Sequence, residues 1–291
     1  MLIVKIFGGL GNQMFQYAAA KALAIEYNLT LRLDVSVNQP TNKKETTRKY
    51  GLYVFDNIFE DQASPQEINS IVPKIISKKF DIFFEKNIYS LQKNLIREKN
   101  LTYSPIIINN GKGYLDGYWQ SENYFYKIKN ELRQSFDLTK LEQDANVKKI
   151  LKQINNSESV SLHIRRGDYI TNKRASQHHG VCTLDYYYNA INEIIKRTSK
   201  SVTFFVFSDD LDWCKANLSI AENHIFVKTA NEYSDLHLMS KCKHNIIANS
   251  SFSWWGAWLN SFVGKICIAP NCWFVSEKVK HTIIPLNWKK L

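Results

Sequence analysis

A chain of 291 residues, 44% hydrophobic and 13% aromatic, is long enough for one large domain or two of ordinary size and can bury a substantial core. No apolar run approaches the ~20 residues of a membrane span, and the opening MLIVKIFGGLGNQ lacks the length and the cleavage pattern of a signal peptide. The net charge of +11 suits an anionic ligand or surface, but the basic residues are spread along the chain, with neither a basic tail nor an arginine–aromatic array, which argues against a nucleic-acid partner. Five cysteines at irregular spacing form no disulfide framework and no zinc set, and read as thiols in a reducing compartment.

In chain order, residues 2–7 (LIVKIF) predict a first strand. GGLGNQ turns it into a helix with Asn12 as N-cap and a mostly apolar stripe through Met14, Tyr17, Ala18, Lys21, Ala22 and Ile25. Residues 29–35 (LTLRLDV) alternate as a second strand and complete a β-α-β unit. Residues 37–112 have no clean period and predict helices and loops, with NKKETTRK at 42–49 a solvated loop. Residues 112–120 (KGYLDGYWQ) predict a strand leading to a helix near SENYFYKIKNELRQSF. The lysine-rich stretch 137–159 predicts a linker or a helix on the seam between two halves. From residue 159 short apolar runs (SVSLHI, SVTFFVFS, HIFVKT, HNIIAN, KICIAP) alternate with helical patterns, which predicts a parallel sheet covered on both faces. The division expected is 1–150 and 151–291.

In an open parallel sheet, ligands bind outside the carboxyl ends of the strands. SLHIRRGDYI, residues 161–170, puts two arginines at such an end. Alternation sets His163 and Arg165 on one side and Ile164 and Arg166 on the other, and Gly167 lets the backbone turn. Arg165 is the candidate for phosphate oxygens, which its planar fork suits; Arg166 is divided between that role and a structural salt bridge with Asp168. FFVFSDD delivers Ser208, Asp209 and Asp210 to the same rim. HNIIANSSFSWWGAW delivers Asn249, Ser250 and Ser251 to a helix start, where hydroxyls and free N–H groups suit phosphate or simple capping. Trp254, Trp255 and Trp258 read as core or interdomain packing. Asp210 and Asp212 form a D-x-D triplet, but acids at a helix start complement the dipole anyway, and no metal is expected there. GGLGNQ lacks the Lys-Ser/Thr of a P-loop. As a dinucleotide fingerprint it matches at Gly9 and Gly11, has Met14 in third place and has Asp34 ending the next strand, which keeps an NAD-dependent oxidoreductase as an alternative. A non-enzymatic glycan or nucleic-acid binder built on the basic surface is a third class.

Taken in order and over nearly the whole chain, GGLGNQMFQYA, GYWQSENYF, HIRRGDY, FVFSDD and NSSFSWWGAWL resemble the α-1,2-fucosyltransferases of glycosyltransferase family 11. Residues 37–112 carry no part of the resemblance and are expected to shape acceptor choice. The resemblance implies an α/β, GT-B architecture: two Rossmann-like domains facing across a cleft, the first on the acceptor side and the second holding the donor. It implies inverting transfer of L-fucose from GDP-β-L-fucose to the 2-hydroxyl of a terminal galactose on an oligosaccharide or lipid-linked glycan, with no metal and no cofactor beyond the donor. A cytoplasmic bacterial enzyme of O-antigen or surface-polysaccharide synthesis is expected, in peripheral contact with the inner membrane. Arg165 carries over from the family's H-x-R-R motif as the group that stabilises the leaving phosphate, with Ser250 and Ser251 second. His163 is expected at the nucleotide, Asp235 at guanine or ribose, and Gly9, Gly11, Asn12 and Gln13 over the pyrophosphate. Ser208, Asp209 and Asn249 line the rim. Asp116 and Asp168 are the candidate bases with Glu122 nearby, and the residues alone do not choose among them. His178, His179 and Cys182 are assigned to a loop at the same rim.

Overall fold

Two all-parallel sheets organise the chain. A computed structural model describes residues 1–36, 49–72, 94–198, 200–276 and 278–291. Most of the solvated loop expected at 42–49, and much of the stretch assigned to acceptor choice, lie outside the described residues. The first unit comprises Met1–Phe136 with Lys280–Ile283, and the second Asp137–Val279 with Ile284–Leu291.

The first unit runs β1 (Leu2–Lys5), α1 (Leu10–Glu26), β2 (Leu31–Asp34), α2 (Pro65–Ile71), β3 (Leu95–Arg97), β4 (Gly113–Asp116) and α3 (Lys129–Ser135). Its strand order is β2-β1-β4-β3. The helix start differs from expectation. Gly9 is the N-cap of α1, without a side-chain cap, and Asn12 lies inside the first turn. The expected stripe is also too narrow: α1 is buried nearly all round through Ala18, Ala19 and Ala20, while Ile25 is half exposed. Small side chains let the helix sit close under its neighbours, so burial does not follow one face. Ser64 and Glu67 form a reciprocal capping box that starts α2.

The second unit runs α4 (Ala145–Asn155), β5 (Glu158–Ile164), α5 (Gly167–Thr171), α6 (Lys173–His179), α7 (Leu184–Thr198), β6 (Val202–Ser208), α8 (Leu211–Asn217), β7 (Asn223–Phe226), α9 (Glu232–Lys241), β8 (His244–Ile246), α10 (Ser251–Leu259), β9 (Cys267–Ala269) and β10 (Lys289–Lys290). Strand order is β10-β9-β8-β5-β6-β7, the doubly wound order whose switch point lies between β5 and β8. Alternation on the central strands splits the core. Val160, Leu162, Ile164, Phe204 and Val206 pack with α7, whereas Phe205 and Phe207 pack with α4 and α9. The lysine-rich stretch thus ends in a helix of this unit, capped by Asp144, that buries Val147, Ile150 and Ile154. Trp254, Trp255 and Trp258 are core residues that pack with one another and with Trp288. No helix among the described residues is long and apolar enough to cross a membrane.

Candidate active site

The switch point of the second unit brings HIRRGDY and NSS to the carboxyl ends of two adjacent central strands, β5 and β8. As β5 ends, Arg165 pairs with Asp209 at 3.1 Å, and the other oxygen of that carboxylate accepts the Arg166 N–H at 2.9 Å. Gly167 is required here, because a Cβ would lie 2.3 Å from Asp209 Oδ2. Arg166 does form a salt bridge, but with Asp210 at 3.1 Å, and its guanidinium lies 3.7 Å from the Trp213 ring. The side chain of Asp168 lies outside the described part of α5. Asp210 also caps α8 through the Trp213 N–H, and Ser208 Oγ accepts the Asp210 N–H at 3.0 Å. Asp212 stands in solvent near Lys215.

Around Arg165 the other predicted residues fall into two groups. Asn249 is spent on the fold. Its side chain donates to the carbonyls of His179, Gly180 and Trp273, and its oxygen accepts from the Cys182 thiol. Burial pushes that thiol up to about 11, so Cys182 is a structural group. His178 and His179 close a short helix rather than a loop, with the His179 ring stacked on Tyr169 at 4.9 Å. Ser250 is different. It occupies the N-cap of α10 but its hydroxyl does not cap, and Ser251 opens the helix beside it. His163 is buried beside Phe252 with Nδ1 unpartnered within the protein. Burial, and then the nearby Arg165 charge, push its imidazole down to about 3, so it is neutral at working pH. Asp235, in the first turn of α9, accepts the Thr229 hydroxyl at 2.7 Å, and burial pushes its carboxyl up to about 6.

The first unit also presents strand ends at its switch point, between β1 and β4. Gly9 faces open space, where a Cβ would meet nothing within 4 Å, and Gly11 is buried in α1. Gln13 is fully engaged by its own chain, bonding Gly8 O, Lys49 O and the Gly51 N–H. Asn12 accepts from Gln120 at 2.8 Å, which ties the first turn of α1 to the loop after β4. Asp116 pairs with Lys5 at 3.0 Å and Arg97 at 3.5 Å, so two cations compete for the lone pairs a base would use. Glu122 begins a helical turn that follows. Asp34 is occupied, accepting the Tyr114 hydroxyl and the Ser36 N–H, which removes the ribose-binding acid of the oxidoreductase reading.

Two features were missed in the sequence. Tyr169 donates to the Asn249 carbonyl at 3.1 Å and lies 5.7 Å from the Arg165 guanidinium, so it joins the β5 and β8 ends. It stands inside HIRRGDY, where an aromatic beside two arginines was a readable signal. Glu98 accepts the Tyr118 and Trp119 N–H groups across the β3–β4 edge, a long-range pairing with no local signal.

Each unit is an α/β unit built on a parallel sheet, and in the second unit cationic and helix-terminal groups gather at the switch point, where open α/β sheets hold their ligands. The sequence profile described as Glycosyl transferase family 11 matches residues 1–291. An alpha-1,2-colitosyltransferase of Escherichia coli is 38% identical over 298 residues, covering 100% of this chain and 99% of its own. The O-antigen biosynthesis glycosyltransferase WbnK of Escherichia coli is also 38% identical, covering 95% and 96%. The galactoside alpha-(1,2)-fucosyltransferase 1 of Aotus azarae is 24% identical over half of this chain and 42% of its own. A crystal structure of the fucosyltransferase NodZ from Bradyrhizobium aligns over 88% of this chain and 92% of its own, at 13% identity and a TM-score of 0.49. The chain belongs to glycosyltransferase family 11.

Proposed function

We propose that the protein transfers L-fucose, with inversion, from GDP-β-L-fucose to the 2-hydroxyl of a terminal galactose in bacterial surface-glycan or O-antigen synthesis. The observation that carries this reading is Arg165, fixed by Asp209 at the switch point beside the uncapped N-terminus of α10. Charge builds on the diphosphate as the sugar–phosphate bond breaks. A preorganised guanidinium, helix N–H groups and the Ser250 and Ser251 hydroxyls answer that charge without reorganising. His163, neutral and with an unpartnered ring nitrogen, suits a hydrogen bond to the nucleotide rather than proton transfer. Asp235 suits the N–H donors of guanine. Asp168 and Asp116 are the carboxylates proposed as base, and the ion pairs of Asp116 with Lys5 and Arg97 count against it. Neither a metal nor a further cofactor is required, and lipid-linked acceptors at the inner membrane face are within the expected range.

The full-length similarity to a colitosyltransferase favours a second donor, GDP-colitose, whose sugar lacks the 3-hydroxyl of fucose. Incubating the protein with either donor and a panel of β-galactosides, with and without EDTA, separates the readings. Product from GDP-fucose, linked at the galactose 2-position and formed equally with EDTA, is the expected result. Product from GDP-colitose alone would replace the donor and keep the reaction class. No GDP release with any combination would overturn the proposal.

A further inference from the structure

The turn after β4 adopts a conformation that its residues do not favour. Trp119 has φ 55°, a region that bulky L-residues rarely enter and that persists only where the surroundings impose it. The surroundings here are specific. Glu98, just beyond β3, accepts the Tyr118 N–H at 2.7 Å and the Trp119 N–H at 3.1 Å. Position 117 must be glycine, since a Cβ would lie 2.4 Å from Glu98 Cβ and 3.0 Å from the Trp119 ring. Trp119 Nε1 and Ser121 Oγ are buried and unpartnered within the protein. Burial pushes the Glu98 carboxyl up, against the two N–H bonds that favour its ionised form.

This arrangement leaves Tyr118 40% exposed, its ring 5.0 Å from that of Phe7, two residues beyond β1. Asp116 ends β4, and Gln120, in the turn that follows, donates to Asn12 in the first turn of α1 at 2.8 Å. An exposed aromatic ring among amides and a carboxylate is the chemistry that recognises a sugar. The ring covers an apolar C–H face, and the polar groups bond hydroxyls.

We propose that residues 117–120 form a sugar subsite for the acceptor glycan, with Tyr118 as its stacking platform and Glu98 as its positioning residue. The inference rests on the glycosyltransferase reading above and adds to it a ligand class and named residues. Its two halves are read separately. Amide hydrogen exchange over residues 116–124 tests the hold. Glu98→Ala is expected to raise exchange there at least tenfold, and Glu98→Gln, which keeps one accepting oxygen, to raise it less. Unchanged exchange in Glu98→Ala would overturn the positioning role. Kinetics with GDP-fucose and lactose test the platform. Tyr118→Ala should raise the KM for lactose about tenfold and leave the Kd for GDP within twofold, while Tyr118→Phe should retain the wild-type KM. A wild-type KM in Tyr118→Ala, in a protein that does transfer fucose, would overturn the subsite alone. A wild-type protein that transfers to no galactoside would instead sink the functional reading and the subsite with it.

Discussion

Asp209 holds Arg165, so on the proposed reading the guanidinium needs little reordering to meet a diphosphate. Arg165→Ala should weaken GDP binding at least tenfold, about 1.4 kcal/mol, by titration calorimetry. Arg165→Lys should recover only part, because an ammonium cannot reproduce the fork. Gly167→Ala should act in the same direction without touching the arginine. Its Cβ would displace the Asp209 carboxylate, and with it both the ion pair and the Arg166 N–H bond. Asp235 makes a prediction about pH. Its carboxyl is pushed up to about 6, so it gains a proton as pH falls through that value and then loses an acceptor. GDP-fucose, whose diphosphate is a diester with no proton to exchange there, should bind more weakly below about pH 6. Asp235→Asn should abolish that limb. A pH-independent Kd in the wild type would remove Asp235 from the base-reading role.

At the scale of elements, the crossing of α9 and α10 depends on one small residue. Gly256 lies against Met239, and a Cβ there would sit 3.0 Å from Met239 Cβ. Gly256→Ala should cost about 1–3 kcal/mol of stability in thermal or urea unfolding, with GDP affinity unchanged, since overpacking in a filled core is strained. The same elements show what was legible in the residues. SVTFFVFS and LDYYYNAINEIIKRT match β6 and α7 because apolar period and local propensity agree there. The start of α1 was misplaced because Gly9, with no capping side chain, gives no signal, whereas Asn12 gives a false one. The two-residue strand β10 is too short for a pattern. Arg165 and Ser250 were readable as site candidates because strand ends and helix starts are local features. The engagement of Asn249 and Gln13 by their own chain was not, because their partners lie far away in sequence.

At the scale of the whole molecule, the chain enters the second unit at Asp137, returns to the first for Lys280–Ile283 and ends in the second. The returning segment is stitched into the first unit. His281 bridges Leu101, Thr282 N–H donates to Leu101 O at 3.0 Å, and Tyr103 N–H donates to Thr282 Oγ1 at 2.7 Å. Beyond it, β10 pairs with β9 at the edge of the second sheet. Deleting residues 280–291 should therefore loosen both units at once. Hydrogen exchange should rise over residues 101–103 and over β9 together, whereas a change confined to β9 would show that the returning segment does not matter to the first unit.

That stitching also sets an order of events during synthesis. The first unit ends its main run at Phe136, and its last piece begins at Lys280, 144 residues later by subtraction. At about 5–20 residues per second, the piece emerges roughly 7–30 s after the rest. The first unit, translated early for its larger part, is thus completed only after Asp137–Val279 has been made. In the interval the nascent chain carries an unfinished edge at Leu101 and Tyr103, where a chaperone or a slow codon run would have the most time to act.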